Sequence, residues 1–160
     1  VRAVNVERLP ALEGQGVSMT LVNLAPCAVN QPHFHPRAAQ MSYVIDGSHL
    51  RVAFVEENGG GGTVVNDLSK GDVSFVPQGL VHYQQNLDCE PASFLASLNS
   101  EDAGLVLVVT LIFLLPSEAI QARHCPLHMI RSLLLEAPAL ARLECLERCG
   151  LLEDGDDDLS

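Results

Sequence analysis

The 160-residue chain has no tryptophan, two tyrosines and five phenylalanines, so aromatic side chains make up only 4% of it. A core must therefore be filled by Val, Leu, Ile and Ala. The 48% hydrophobic content supplies them and excludes an intrinsically disordered chain. Cations are scarce too: nine Lys and Arg stand against 20 Asp and Glu, a formal net charge of −11. Such a surface repels phosphate backbones and anionic headgroups, which argues against nucleic-acid and membrane partners. Long apolar runs are missing. The longest, Leu105 to Leu115, is too short to cross about 30 Å of hydrocarbon. No basic segment followed by an apolar stretch stands near Val1, so no signal peptide is expected in this chain, and the compartment stays open between export and the cytoplasm. The five cysteines (Cys27, Cys89, Cys125, Cys145, Cys149) contain no CxxC, and an odd count leaves at least one thiol unpaired in a monomer.

What is present is a rhythm of turns. Gly14 to Gly16, Asn30 to Pro32, Asp46-Gly47, Asn58 to Gly62, Lys70-Gly71 and Pro77 to Gly79 punctuate short β-branched runs. The runs are Val17 to Leu24, Met41 to Ile45, Leu50 to Val55, Val73 to Val76 and Phe94 to Leu98, a pattern that predicts an antiparallel sandwich or barrel. Asp46-Gly47 reads as a hairpin signal, and Gly59 to Gly62 as a loop tip. The texture then changes. Pro116, Ser117 and Glu118 suit a helix start, Leu127, Ile130, Leu133 and Leu134 form an apolar helical face, and 139–149 reads as a helix stopped by Gly150. The expected organisation is a β-barrel with an N-terminal arm over 1–115, helices over 116–152 and an acidic, disordered tail over 153–160.

The chemistry concentrates in two segments. In Gln31-Pro32-His33-Phe34-His35-Pro36-Arg37, residues i and i+2 of a strand share a face, so His33 and His35 point the same way. In the segment Gly71 to Asn86, His82, Gln84 and Asn86 share a face by the same parity. An HxH alone is commonly two exposed strand histidines. Three imidazoles converging inside a barrel would instead make a metal site with open positions.

The surroundings of these histidines resemble the two boxes of the germin branch of the cupin superfamily. His33, His35, position 40 and Gly47 fall on the spacing of the first box, and Gly71, Pro77, Gly79, His82 and Asn86 on that of the second. The resemblance covers roughly 16–116, and Asp88-Cys89-Glu90-Pro91 is similar to wording in fungal and slime-mould spherulin-like germins. It implies an all-β cupin fold, a double-stranded β-helix or jelly-roll barrel, with two or three short C-terminal helices. It also implies secretion, one divalent transition metal per chain (manganese by resemblance, with zinc, nickel, iron or copper open) and a homo-oligomer, a dimer or hexamer.

The pattern breaks at one ligand. Germins hold manganese with three histidines and a glutamate, and the glutamate position here is Gln40. A neutral amide is a weaker ligand for a hard divalent ion and cannot serve as a base. His33, His35 and His82 are thus the expected metal ligands, with Gln40 a weak or absent fourth. Of two asparagines that hold oxalate in oxalate-oxidising germins, Asn30 matches one and Thr20 stands at the other. Oxalate oxidase and superoxide dismutase activity are therefore not expected. Gln40, Asn30 and Gln84 are the candidate catalytic residues, in a polar, uncharged pocket lined also by Thr20, Ser42, Phe75 and Asn86. That pocket suits a neutral or weakly anionic small molecule. Two functions compete: an enzyme that oxidises, isomerises or cyclises such a molecule, as in fungal secondary metabolism, and a non-catalytic stress- or wall-associated protein with a vestigial metal site.

The remaining residues read plainly. If the strands carrying His33 and His82 are antiparallel neighbours, Cys27 and Cys89 lie close together, as a disulfide or as two buried thiols. Cys145 and Cys149, at i and i+4, read as small core or interface residues. His49, His124 and His128 read as surface histidines, and Arg37 as a residue that fixes its loop or a subunit contact. The acidity is partly a tail feature, because Glu153, Asp154, Asp156, Asp157 and Asp158 account for five of the negative charges.

Overall fold

The computed structural model describes residues 1–116 and 142–152. The expectations for Ser117, Glu118, His124, Cys125, His128, the face from Leu127 to Leu134 and the acidic end lie outside them. Among the described residues the elements run β1 (Arg2–Val4), β2 (Ser18–Leu24), β3 (Val29–Phe34), β4 (Gln40–Asp46), β5 (Leu50–Val55) and β6 (Thr63–Leu68). They continue with β7 (Val73–Val76), β8 (His82–Asn86), β9 (Ala92–Leu98), β10 (Val106–Leu107), α1 (Val108–Phe113) and a helix α2 over 142–148.

The strands form two five-stranded sheets, β1-β2-β9-β4-β7 and β10-β3-β8-β5-β6, with antiparallel pairing throughout. This is an all-β jelly roll, as the resemblance implies, with helices at its C-terminal end. Strict alternation sets the faces. On β9, Ala92, Phe94, Ala96 and Leu98 turn inward, and on β4, Gln40, Ser42 and Val44 do. Val22, Leu24, Val44, Leu50, Val52, Val76 and Phe94 pack between the sheets with the half-buried Phe54 against them, so the core is mainly aliphatic. Burying each such side chain contributes on the order of 1.5–3 kcal/mol.

Alternation also leaves apolar side chains on the outer face of the first sheet. Met19, Met41 and Phe75 lie in one cross-strand row, Tyr43 and Val73 in the next, and all five are exposed. Phase decides the matter for Phe75: on β7 the inward residues are Ser74 and Val76, paired with Ser42 and Gln40. Phe75 is 54% exposed and is not a pocket residue.

One turn expectation changes. Asp46-Gly47 does not close a hairpin, because β4 and β5 belong to different sheets. Gly47 instead carries the chain across the edge at φ 126, where a Cβ would meet the Cβ of Ala92 at 2.8 Å. The run from Leu105 to Leu115 contains β10 and α1. The helix α2 closes with the Schellman pair of bonds, Gly150 N–H to Glu147 O (3.1 Å) and Leu151 N–H to Leu146 O (2.9 Å). No helix among the described residues is long and apolar enough to cross a membrane.

The cysteines pair differently from expectation. Cys27 and Cys89 are indeed neighbours, with Cys27 N–H reaching Asp88 O at 3.4 Å. Each, however, takes its partner from α2 or the residue that follows it: Cys27 bonds Cys145 and Cys89 bonds Cys149. The i, i+4 spacing puts both sulfurs on one side of the helix end, above the adjacent pair at the end of the sheet.

Candidate metal centre

β3 and β8 are antiparallel neighbours, and their register sets His33 directly opposite His82. A bulge lies between Asn30 and His33, and His35 follows just beyond the end of β3. The three rings gather with centroids 4.3 Å apart for His33 and His82, 5.2 Å for His33 and His35, and 5.4 Å for His35 and His82. One ring nitrogen from each lies within 4.8 Å of the others, a spacing that a single ion can bridge.

Each ring is fixed from behind by a backbone carbonyl. His33 Nδ1–H donates to Gln31 O (2.6 Å), His35 Nδ1–H to Gly104 O (2.6 Å) and His82 Nδ1–H to Leu80 O (3.0 Å). A carbonyl can only accept, so these contacts assign the Nδ1–H tautomer and leave every Nε2 with a lone pair. His82 Nε2 is buried without any partner. His35 Nε2 faces Gln40 Oε1 at 3.1 Å, while the Gln40 amide donates to Ser42 Oγ at 2.9 Å. Lone pairs at that separation repel unless a proton or a cation lies beside them. The donor set therefore fits a divalent transition metal held by His33, His35 and His82, with the Gln40 oxygen at its edge.

The protonation equilibria agree with this arrangement. Burial pushes the His82 imidazole down to about 4, with His33 and His35 adding repulsion against the Leu80 hydrogen bond. Burial likewise lowers His33, against the opposing bond to Gln31. Both rings are neutral near pH 7, the form that binds metal.

His33 and His35 lie on the wall of a cavity of about 540 Å³, lined also by Thr20, Asn30, Gln40 and Gln84. Asn30 Nδ2–H donates to Gln84 Oε1 at 2.6 Å, leaving the Gln84 amide N–H groups without partners. The other predicted liners fall elsewhere. Ser42 stands behind Gln40, 1% exposed. Asn86 is fully buried and ties a turn, donating to Ala25 O and Glu90 O and accepting from Asp88 N–H, because its position on β8 falls past the cavity. His49 is half-exposed beside Asp67.

Sequence reasoning missed the mouth. Val1, Ala3, Val4, Asn5 and Glu7 of the N-terminal arm line it together with Leu105 and Leu107. No motif marks these residues, which reach the cavity only through pairing of β1 with β2 and of β10 with β3. Gly104 was missed as well. Its φ is 70, and a Cβ there would meet Pro36 at 2.8 Å, so only glycine brings its carbonyl to His35 without strain. Arg37 clamps the same loop, with Nη2 to Asp102 Oδ1 at 2.6 Å and Nε to Asp102 O at 2.8 Å.

A family model described as Cupin matches residues 1–123. Among curated proteins the chain is 33% identical to Spherulin-1B of Physarum polycephalum, over 89% of this chain and 58% of that protein. It is 41% identical to a probable germin-like protein, subfamily 2 member 5, of Arabidopsis thaliana, over 71% of this chain and 52% of that one. The chain thus spans between half and three fifths of the length of these relatives. Among solved structures, oxalate oxidase in complex with the substrate analogue glycolate is 28% identical, with a TM-score of 0.66 over 92% of this chain and 71% of that one. The family match over most of the chain, together with its spherulin and germin-like relatives, makes this chain a germin/spherulin-like member of the cupin family.

Proposed function

We propose that the chain is a metal-dependent enzyme acting on a small, largely neutral organic molecule at a mononuclear centre held by His33, His35 and His82. The observation that carries this reading is the set of three clustered, carbonyl-anchored imidazoles, with His33 and His35 on the wall of one cavity and His82 Nε2 buried and partnerless among the described residues. A bound divalent metal supplies Lewis-acid polarisation of a carbonyl or hydroxyl, or activation of water. The chain's own groups do the rest. Gln84, held by Asn30, offers an unpaired amide N–H to a substrate oxygen, and Thr20 offers a hydroxyl. Val22, Phe94, Ala96, Leu98, Leu105 and Leu107 give the cavity an apolar lining that excludes water around an organic skeleton.

Among the described residues the lining contains no Lys or Arg, and its charged side chains are Glu7 and Asp102. A dianion such as oxalate would meet the divalent ion but also these two carboxylates, with no cationic side chain beside them. Oxidation, isomerisation or cyclisation of a neutral molecule fits better. One feature favours the competing reading of a binding protein with a weakened site: Gln40 is a neutral amide, a weaker ligand for a hard divalent ion than a carboxylate. The two cystines support secretion, since such bonds persist in oxidising compartments.

Elemental analysis tests the reading. The purified protein is expected to carry about one transition metal per chain, and His82→Ala to carry none. An empty wild-type site overturns the metalloenzyme. Gln40→Glu is expected to raise manganese content by restoring a carboxylate, and loss of native activity in that variant marks the amide as functional. The exposed row of Met19, Met41 and Phe75 supports a homo-oligomer built through the first sheet. Sedimentation is expected to give a multiple of the monomer mass that Met41→Glu reduces, and a wild-type monomer overturns it.

A further inference from the structure

The four sulfurs at the far end of the β3–β8 pair form one cluster rather than two separate staples. Cys27 Sγ lies 3.8 Å from Cys149 Sγ, although the two belong to different disulfides. Exposure is divided unevenly: Cys89 is exposed and Cys149 half-buried, while Cys27 and Cys145 are buried at 0% and 2% exposure. An incoming thiol therefore reaches Cys89 first. The Arg148 guanidinium lies 3.5 Å from Cys145 Sγ and donates also to Leu87 O, which fixes a positive charge beside that sulfur. Cys27 itself is held at φ 58, a left-handed conformation costly for a residue with a Cβ.

From this geometry we infer that the cluster is a thiol–disulfide exchange site, which takes a thiol as substrate and passes the exchange inward from Cys89 to Cys145. In the first step a thiolate attacks Cys89 Sγ, forms a mixed disulfide there and expels the Cys149 thiolate. That thiolate, already beside Cys27 Sγ, attacks it, forms Cys27–Cys149 and expels Cys145. Arg148 stabilises the Cys145 thiolate and makes it the better leaving group. A second thiol then attacks the mixed disulfide, releasing the oxidised external disulfide and the Cys89 thiolate. In balance, two external thiols lose two electrons, and two protein disulfides become one disulfide and two thiols. The free cysteines at the end are Cys89 and Cys145, whereas simple reduction of the exposed bond leaves Cys89 and Cys149.

That difference is directly readable. Cleavage after Lys and Arg places all five cysteines on separate peptides, with Cys145 on 143–148 and Cys149 on 149–160. The full chain is titrated with dithiothreitol, quenched by alkylation when two thiols have appeared, and mapped without further reduction. Exchange predicts label on Cys89 and Cys145 with peptides 9–37 and 149–160 linked. Label on Cys89 and Cys149, with Cys27–Cys145 intact, overturns it. A second arm uses Cys89→Ser without reductant: the lone thiol of the cluster is expected to migrate to Cys145 in a large fraction of molecules. Confinement of that thiol to Cys149 counts against the relay whatever the first arm gives.

Discussion

β3 and β8 carry a reactive cluster at each end of the same antiparallel pair, and the two ends are built in opposite ways. At one end three imidazoles are oriented by hydrogen bonds to carbonyls, with His33 and His35 on the wall of a cavity. At the other end four sulfurs have used their valences on one another and close the sheet against α2. The first end offers ring nitrogens to a metal, as proposed, and to protons, neither of which breaks the chain's own covalent contacts. The second answers to thiols and holds together segments distant in sequence. A strand of six residues separates them, roughly 20 Å at about 3.3 Å per residue. One scaffold can therefore carry a reversible centre and a covalent anchor without either strongly perturbing the other.

The largest break in this comparison comes from removing the covalent end. The disulfides span sequence separations of 118 and 60 residues, so they restrict the unfolded chain strongly. Replacing Cys145 and Cys149 together by Ala is expected to lower unfolding stability by about 2–5 kcal/mol, visible in a denaturant titration. Metal content per folded chain should stay at the wild-type value. Loss of metal together with the cystines would show that the sulfur end shapes the histidine end. An unchanged denaturation midpoint would show that α2 is held by other contacts.

The two ends also differed in how far the sequence disclosed them. His33, His35 and His82 need only strand parity and one register, and their neighbours repeat a known spacing, so the cluster was readable residue by residue. The strand runs were readable too, since β5 and β7 match their apolar stretches at both ends. Phase failed where a strand is short: β7 has four residues, apolar on both faces, and nothing in Val73 to Val76 says that Ser74 rather than Phe75 turns inward. Asn86 was assigned to the pocket by parity alone, which gives the face and not the distance along it. At the sulfur end, proximity of Cys27 and Cys89 followed from the same register, but their partners did not. Those partners depend on where α2 docks, a tertiary choice with no local signature. Gly104 escaped for a related reason, because its role is set by the ring it meets and not by its own neighbours in sequence.

A smaller effect separates the ends more sharply, because only the histidines titrate. His82 is held near 4 and His33 below its usual 6.5, both by burial, so the folded metal-free protein refuses protons that the unfolded chain accepts. The unfolded state then binds more protons between about 6.5 and 4, and stability must fall as pH drops through that window. The contribution is complete above 6.5 and lost as the pH approaches 4. Thermal unfolding of the metal-free protein is expected to show this decline, and His82→Ala to flatten it. The cystine variant should run below the wild type by a constant offset with the same slope, since sites that far apart combine additively to within about 0.5 kcal/mol. A slope that changes when the sulfurs are removed would mean that the desolvation of His82 depends on α2. The two ends of β3 and β8 would then form one coupled unit, a result that the hydrogen bonds anchoring each ring to its own neighbouring carbonyl argue against.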